Sequence, residues 1–197
     1  MDETQKRIDC REINKHIING LQDLKTLDRQ NIEYFVCGSL IPAALNGGFY
    51  RPIADIDLLV SIENSKVIKQ SFEKIGYTGD FIEPPMRLGY KWLEIHKGQI
   101  EFAFMFGNFD ERGGWRMPLK YGFSLYIPPA ALKPKNYKLE GVSFRGPVLE
   151  SPYLALTQFS RIYANPKREN DLKPFEGKVD EKVINEIKVS HPGLWYR

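Results

Sequence analysis

Two aspartates, Asp55 and Asp57, open the apolar run DIDLLVS with one residue between them. If that run is a strand, both carboxylates lie on one face, and Ile56 and Leu58 lie on the other. Carboxylates this close resist joint ionisation unless a cation sits between them. A hard divalent ion with oxygen ligands meets that need, and Mg²⁺ leaves part of its shell to water and substrate phosphate. Upstream, Gly38-Ser39 separates IEYFVC (32–37) from LIPAAL (40–45). A strand ending and a helix starting there would turn free N–H groups and a partial positive charge toward phosphate. Glycine lets phosphate approach the backbone closely, and Ser39 adds a hydroxyl donor. A third acid, Glu101, stands in QIEFAFMF (99–106), between Ile100 and Phe102. An unpaired carboxylate buried among such residues is costly, so Glu101 is expected to be buried with a cation partner. Glu94, on the preceding strand, is a second candidate. Carboxylates at strand ends beside a phosphate corner form a site for metal-assisted phosphoryl chemistry.

Taken singly, these features are ordinary. Asp-x-Asp is common at solvated strand ends, Gly-Ser is a common turn, and a lone Glu often pairs with Lys or Arg. What distinguishes them here is their order within a strand–helix–strand context.

The elements that must position them are legible from periodicity. Ile8, Ile13, Ile17, Ile18, Leu21, Leu24 and Leu27 recur at helical spacing, which predicts one helix from about Thr4 to Asp28. Residues 32–37 read as a buried strand. Ser39 can cap the following helix, whose early Pro42 sits in the tolerated first turn, and Asn46-Gly47-Gly48 ends it. Asp55–Ser61 is the next strand, and Asn64–Ile75 a helix stopped by Gly76. Leu88–His96 and Gln99–Phe106 read as strands joined at Lys97-Gly98, and Gly107–Pro118 as a polar loop. Phe123–Ile127 is a short strand, and Lys138–Phe144 pairs around Gly141. After Pro147 the pattern turns helical, at Pro152–Ala164, Pro166–Lys173 and Glu181–Val189. The chain thus divides into an α/β part, residues 1–147, and a small helical tail, residues 148–197.

The whole is 197 residues, 42% hydrophobic and 27% charged, with net charge +3, which suits one domain with a small appendage. Mild basicity assists an anionic substrate such as a nucleoside triphosphate. Basic residues are scattered, with no run of five, so nucleic acid is not the favoured partner. No apolar run is long enough to span a bilayer, and Met1–Arg11 lacks the apolar core of a signal peptide; the cytoplasm is the expected compartment. Cys10 and Cys37 are expected as unlinked thiols there. His16, His96 and His191 lack zinc-ligand spacing.

Cys37-Gly38-Ser39, a 15-residue spacer, Asp55-Ile56-Asp57 and then Ile100-Glu101-Phe102 resemble the nucleotidyltransferase superfamily, which includes DNA polymerase β and antibiotic nucleotidyltransferases. Arg51, in Arg-x-x-x-Asp-Ile-Asp, is similar to the branch of small-molecule and toxin-type enzymes. The resemblance covers about residues 32–105. It implies an α/β fold, a mixed sheet flanked by helices with a small C-terminal helical tail, and a mechanism with one or two Mg²⁺ ions. Asp55, Asp57 and Glu101 would hold metal, and Glu101 would also accept the acceptor's proton. Gly38 and Ser39 would hold the β- and γ-phosphates of an NTP, and Arg51 would join the nucleotide site. The tail segment RIYANPKREND resembles a helix in such enzymes where a cation meets phosphate or an Asp supports the site; Arg161, Lys167, Arg168 and Asp171 stand there. The acceptor implied is a small hydroxylated molecule, and Phe109, Trp115 and Tyr121 are candidates to line its pocket.

GSLIPAALNGGFYRPIADID also resembles the choline-phosphate transferase and fukutin-like branch, through Gly47-Gly48-Phe49, although Ile53-Ala54 replace its Trp-Asp. A toxin-type enzyme acting on tRNA or protein, and an inactive nucleotide-binding scaffold, are the other readings. The intact set of three acids weighs against the scaffold.

Overall fold

The computed structural model describes residues 10–82, 92–118, 124–162 and 166–190, with the side chains of residues 158–168 outside the description. The first helical stretch is not continuous. It breaks at Asn14 and again at Leu24, leaving α1 (Lys15–Asp23) and α2 (Lys25–Asp28). At the first break the Asn14 carboxamide donates to the Cys10 carbonyl at 2.7 Å, a local bond that competes with the helical ladder. The expected start near Thr4 lies outside the described residues.

The α/β part then runs β1 (Tyr34–Val36), α3 (Leu40–Leu45), β2 (Ile56–Ser61), α4 (Ser65–Lys74), β3 (Thr78–Ile82), β4 (Trp92–Lys97), β5 (Ile100–Phe109), β6 (Trp115–Pro118) and β7 (Ser124–Ile127). A separate hairpin follows, β8 (Lys135–Leu139) and β9 (Val142–Gly146), and then α5 (Glu150–Ile162), α6 (Pro166–Leu172) and α7 (Glu181–Ser190). The main sheet has the order β1-β2-β5-β4-β3, with β6 and β7 continuing from the far end of β5. Among the described residues only the β2–β5 pairing is parallel, so the expected mixed sheet flanked by helices is present.

Alternation along the strands sorts two faces. Ile56, Leu58 and Val60 of β2 and Phe102, Phe104 and Phe106 of β5 point into a core closed by Ile17 and Leu21 of α1 and Ile68 and Phe72 of α4. A side chain on Gly20 would collide with Ile56 and Ile100, so glycine there lets α1 lie directly on the sheet. The opposite face buries Phe35, Leu59 and Trp115 under Leu154 of α5 and Ile184 and Ile187 of α7. Toward the start of β2 and β5 this second face carries half-buried Asp55, Asp57 and Ala103 and exposed Glu101, so this part of the sheet is open to solvent.

Two strands escaped the periodicity. The Gly79-Asp80 pair makes TGDFI look like a turn, yet β3 pairs with β4 along its length, from Thr78↔His96 to Ile82↔Trp92. Residues 107–118, expected as loop, are a hairpin: β5 runs on to Phe109, Asp110 caps the turn by accepting from Arg112 N and Gly114 N, and β6 returns. Trp115, read as pocket or core, is fully buried and donates its indole N–H to Val60 O.

Phe72 packs edge-on against Tyr77, Phe102 and Phe104 with ring centroids 5.0–5.3 Å apart. Phe72→Ala is therefore expected to lower unfolding free energy by about 3–5 kcal/mol, measured by urea denaturation, because α4 is pinned to the sheet at this contact.

Candidate active site

The strand register brings the sequence motifs to one place. Cys37 N–H donates to Asp57 O at 2.9 Å, which extends the β1–β2 ladder to the end of β1. Gly38 follows in the left-handed region at φ +66°, and a Cβ placed on it would stand 2.5 Å from Asp57 Oδ2. The Asp57 carboxylate thus lies directly over the glycine backbone, where only a residue without a side chain fits. On the other side of β2, Asp57 pairs with Ala103 and Ile56 with Phe102, which sets Asp55 beside Glu101. Ala103 leaves open space between Asp57 and Glu94, its partner on β4.

Electrostatics follow from this crowding. Burial first, then the neighbouring charges of Asp55 and Glu101, push the Asp57 carboxyl up to about 7. The Glu101 carboxyl is also raised, by burial and then by Asp55 and Glu94, with His96 opposing. Among the described residues no cation pairs with any of these acids. Glu101 departs from expectation in one respect: it is exposed, not buried, because it shares the open face with Ala103 while Phe102 and Phe104 take the core. Among the described residues no three His, Cys, Asp or Glu side chains converge closely enough to coordinate one ion. What the register does is bring Asp55, Asp57 and Glu101 near one another on one sheet face, with no cation paired to them among the described residues.

Ser39 does not cap α3. It has helical dihedrals and no capping bond, and α3 is only six residues long. Its Oγ instead accepts from Arg51 Nη2 at 2.6 Å. Arg51 in turn donates from Nε and Nη2 to the two carboxylate oxygens of Asp171 at 2.8 and 2.7 Å, and from Nη1 to Pro52 O. Tyr50 donates to the same Asp171 at 2.6 Å. Asp171 is 4% exposed and Arg51 half-buried, so this is a partly buried, bidentate ion pair. Each guanidinium nitrogen of Arg51 is thus already engaged within the chain, and Arg51 reaches the corner through Ser39. The lone pair Ser39 offers to Arg51 leaves its hydroxyl proton to be donated elsewhere. The side chains of Arg161, Lys167 and Arg168 lie outside the described residues.

Two participants went unseen in the sequence. Tyr50 carries no signal in its surroundings. Asn14 does carry one, since it falls on the arc shared by Ile17 and Leu21, where a polar residue interrupts an apolar stripe. It is fully buried, donates to Arg51 O at 2.9 Å and accepts from Ile53 N at 2.7 Å. Of the proposed pocket aromatics, Phe109 faces a cavity of about 520 Å³ with Phe35, Pro129 and Leu132. That cavity includes none of Asp55, Asp57 or Glu101. Tyr121 lies outside the described residues. Cys10 and Cys37 are unlinked. No helix among the described residues is long and apolar enough to cross a membrane.

No family model matches the sequence, and no curated protein does. Solved structures match its shape. The lincosamide antibiotic adenylyltransferase LnuA, with lincomycin bound, superposes at a TM-score of 0.65 with 17% identity, over 84% of this chain and 97% of that one. ANT(2'')-Ia in complex with adenylyl-2''-tobramycin gives 0.64 with 12% identity, over 89% and 95% of the two chains. A Thermotoga maritima protein described as a candidate nucleotidyltransferase gives 0.55 with 16% identity, over 84% and 94%. At these identities the likeness is one of architecture, and the chain has the nucleotidyltransferase fold.

The raised Asp57 carboxyl has a consequence for stability. In an unfolded chain the group titrates near 3.9, whereas in the fold it titrates at about 7. Between those values the native state holds the extra proton, so stability is fully present below pH 4 and declines as pH rises through 7. Asp57→Asn should flatten that decline and, without divalent metal, exceed the parent at pH 8 by on the order of 2 kcal/mol. Chemical denaturation across pH 4–8 in EDTA measures it; parallel curves for the two proteins would refute the crowding.

Proposed function

We propose that this chain is a metal-dependent nucleotidyltransferase that moves a nucleoside monophosphate from an NTP to a hydroxyl of a small molecule and releases pyrophosphate. The observation that carries this is the Asp57 carboxylate lying over Gly38, with Asp55 and Glu101 beside it on an open sheet face, in a chain with the nucleotidyltransferase fold. A carboxylate cluster that binds metal and a backbone corner that binds phosphate belong together in phosphoryl transfer.

Asp55, Asp57 and Glu101 would hold one or two Mg²⁺ ions, which when bound supply neutralisation of charge on the attacking and leaving oxygens. The chain's own residues do the rest. Gly38, lacking a side chain, lets the triphosphate approach the backbone. Ser39, with its acceptor side taken by Arg51, donates its hydroxyl to a β- or γ-phosphate oxygen. Glu101, with its carboxyl raised by burial and then by Asp55 and Glu94, accepts the proton of the attacking hydroxyl. Positioning of donor and acceptor on one rigid face accounts for much of the acceleration such a site needs. Asp171 keeps Arg51 on Ser39, and Lys167 and Arg168 belong to the same helix, from which a cation would meet phosphate. Residues 148–197 are proposed as a helical extension whose described helices α5 and α7 cover the Phe35–Trp115 part of the sheet, with α6 supporting the nucleotide site.

The acceptor is proposed as a small hydroxylated molecule, by analogy with the antibiotic-bound neighbours. Among the described residues the open face carries several carboxylates, and the basic residues of the sequence form no run of five, which disfavours tRNA. The cytoplasm remains the proposed compartment.

Isothermal titration with NTPs should show binding that requires Mg²⁺ and that Asp57→Ala reduces by at least about 100-fold, with the folded state retained in circular dichroism. Equal binding by parent and variant, with or without metal, would overturn the assignment. Incubation with hydroxylated acceptors should release pyrophosphate; turnover of CDP-choline without pyrophosphate would instead indicate phosphocholine transfer.

A further inference from the structure

We infer that Asn14, on the N-terminal helical stretch, is a positioning residue of the active site just proposed, acting through the segment 50–54 on both Asp55 and the Arg51–Ser39 pair. The inference rests on that functional reading and extends it to a part of the chain far outside the metal and phosphate motifs.

Residues 50–54 join α3 to β2 and belong to no helix or strand. They connect the two halves of the site. The Arg51 side chain holds Ser39 at one end, and Asp55 begins the acidic face at the other. Among the described residues, none of residues 50–54 makes a backbone–backbone hydrogen bond. The backbone is held instead by side chains: Arg51 Nη1 donates to Pro52 O, and Asn14 bridges the residues on either side. Asn14 Nδ2 donates to Arg51 O at 2.9 Å and Asn14 Oδ1 accepts from Ile53 N at 2.7 Å. A carboxamide bridging the C=O of one residue and the N–H of the next but one mimics a strand partner and fixes the spacing between them.

The bridge is rigid at its own end. Asn14 is 0% exposed, and its Nδ2 also donates to Cys10 O at 2.7 Å. Both side-chain polar atoms are therefore satisfied, and no water competes for them. Asn14 departs from helical dihedrals at φ −95° and ψ 12°, while its N–H still donates to Cys10 O. Such a departure, with a buried amide in an otherwise apolar stripe, costs helix stability. Its return is the fixed path of residues 51–53. The Arg51 side chain is clamped independently by Asp171, so the segment is held from two sides by groups 37 and 120 residues away from Arg51 in sequence.

Loss of a partner that orients metal-binding groups typically lowers metal affinity or turnover by roughly 10- to 100-fold. Asn14→Ala should therefore raise the Mg²⁺ concentration for half-maximal activity and the KM for NTP and reduce kcat, each by about tenfold. Assays run well below the melting temperature separate this from unfolding. Tyr77→Phe is the control. It removes the Tyr77–Asp23 bond at the other end of α1, away from residues 50–54, and should leave KM and kcat unchanged at the same temperature. Asn14→Asp keeps the acceptor for Ile53 N but sets a carboxylate oxygen against the Arg51 and Cys10 carbonyls, and should lose at least as much as the alanine variant.

Amide hydrogen exchange supplies a readout that does not depend on turnover. Asn14→Ala should speed exchange in residues 50–57 and at Gly38–Ser39, whereas Tyr77→Phe should not. Unaltered exchange in residues 50–57, or kinetics of Asn14→Ala within twofold of the parent, would overturn the inference. Altered exchange in a chain that transfers no nucleotide would instead overturn the functional reading and leave the bridge standing.

Discussion

The contact between the Asp57 carboxylate and the Gly38 backbone is the constraint around which the site is arranged. It exists because β1 ends in a left-handed glycine and the β1–β2 ladder reaches as far as Cys37 and Asp57. A methyl group at residue 38 would displace the acid. The parallel register of β2 and β5 then adds Asp55 and Glu101 to the same face. The outcome is a local excess of negative charge that the described residues do not neutralise, visible in the raised Asp57 and Glu101 carboxyls. Groups required only for stability are seldom arranged this way, because one paired carboxylate would be cheaper to hold than three unpaired ones. The arrangement is consistent when a divalent ion supplies the missing charge.

A second feature of the site is the chain of donors that runs from the tail to the corner. Asp171 is held by Tyr50 and Arg51, and Arg51 holds Ser39. A partly buried bidentate pair contributes little net stability, since desolvation offsets most of its Coulomb gain. It contributes geometry: the guanidinium plane is fixed, and with it the direction from which Ser39 is approached. That direction decides which way the Ser39 hydroxyl points its proton. The short α3 helix, with no capping bond from Ser39, adds little to the corner, so the phosphate role proposed for the corner rests on Gly38 and the Ser39 hydroxyl more than on a helix end.

Much of this was legible in the residues. The apolar runs around 34–36, 56–61 and 100–106 are strands, and Asp55, one residue before β2, lies near enough to raise the Asp57 carboxyl. The failures have local causes. Glu101 was read as buried because its neighbours in sequence are apolar, but in a strand the flanking residues face the other way, and Glu101 shares its face with Ala103. The strand at 78–82 and the hairpin at 107–118 were hidden because Gly79, Asp80, Gly107 and the Asp110–Gly114 turn are residues that break local patterns, while long-range pairing with β4 and β5 overrides them. Arg51 was placed at the nucleotide; its engagement by Asp171 depends on a residue 120 positions away, which no local pattern contains.

The same reasoning explains why the parts outside the motif matter to it. The segment between α3 and β2 has to deliver Arg51 toward Ser39 and Asp55 toward Glu101, which lie on different sides of the corner. A regular strand could not do both, because its side chains alternate at fixed spacing. An irregular segment can, but its backbone groups then need partners from elsewhere. Asn14 from the first helix serves the backbone and Asp171 from the tail serves the side chain. The first helical stretch and the α6 helix are thus drawn to a segment that secondary structure leaves unsupported, and residues far from the motif in sequence become part of its geometry.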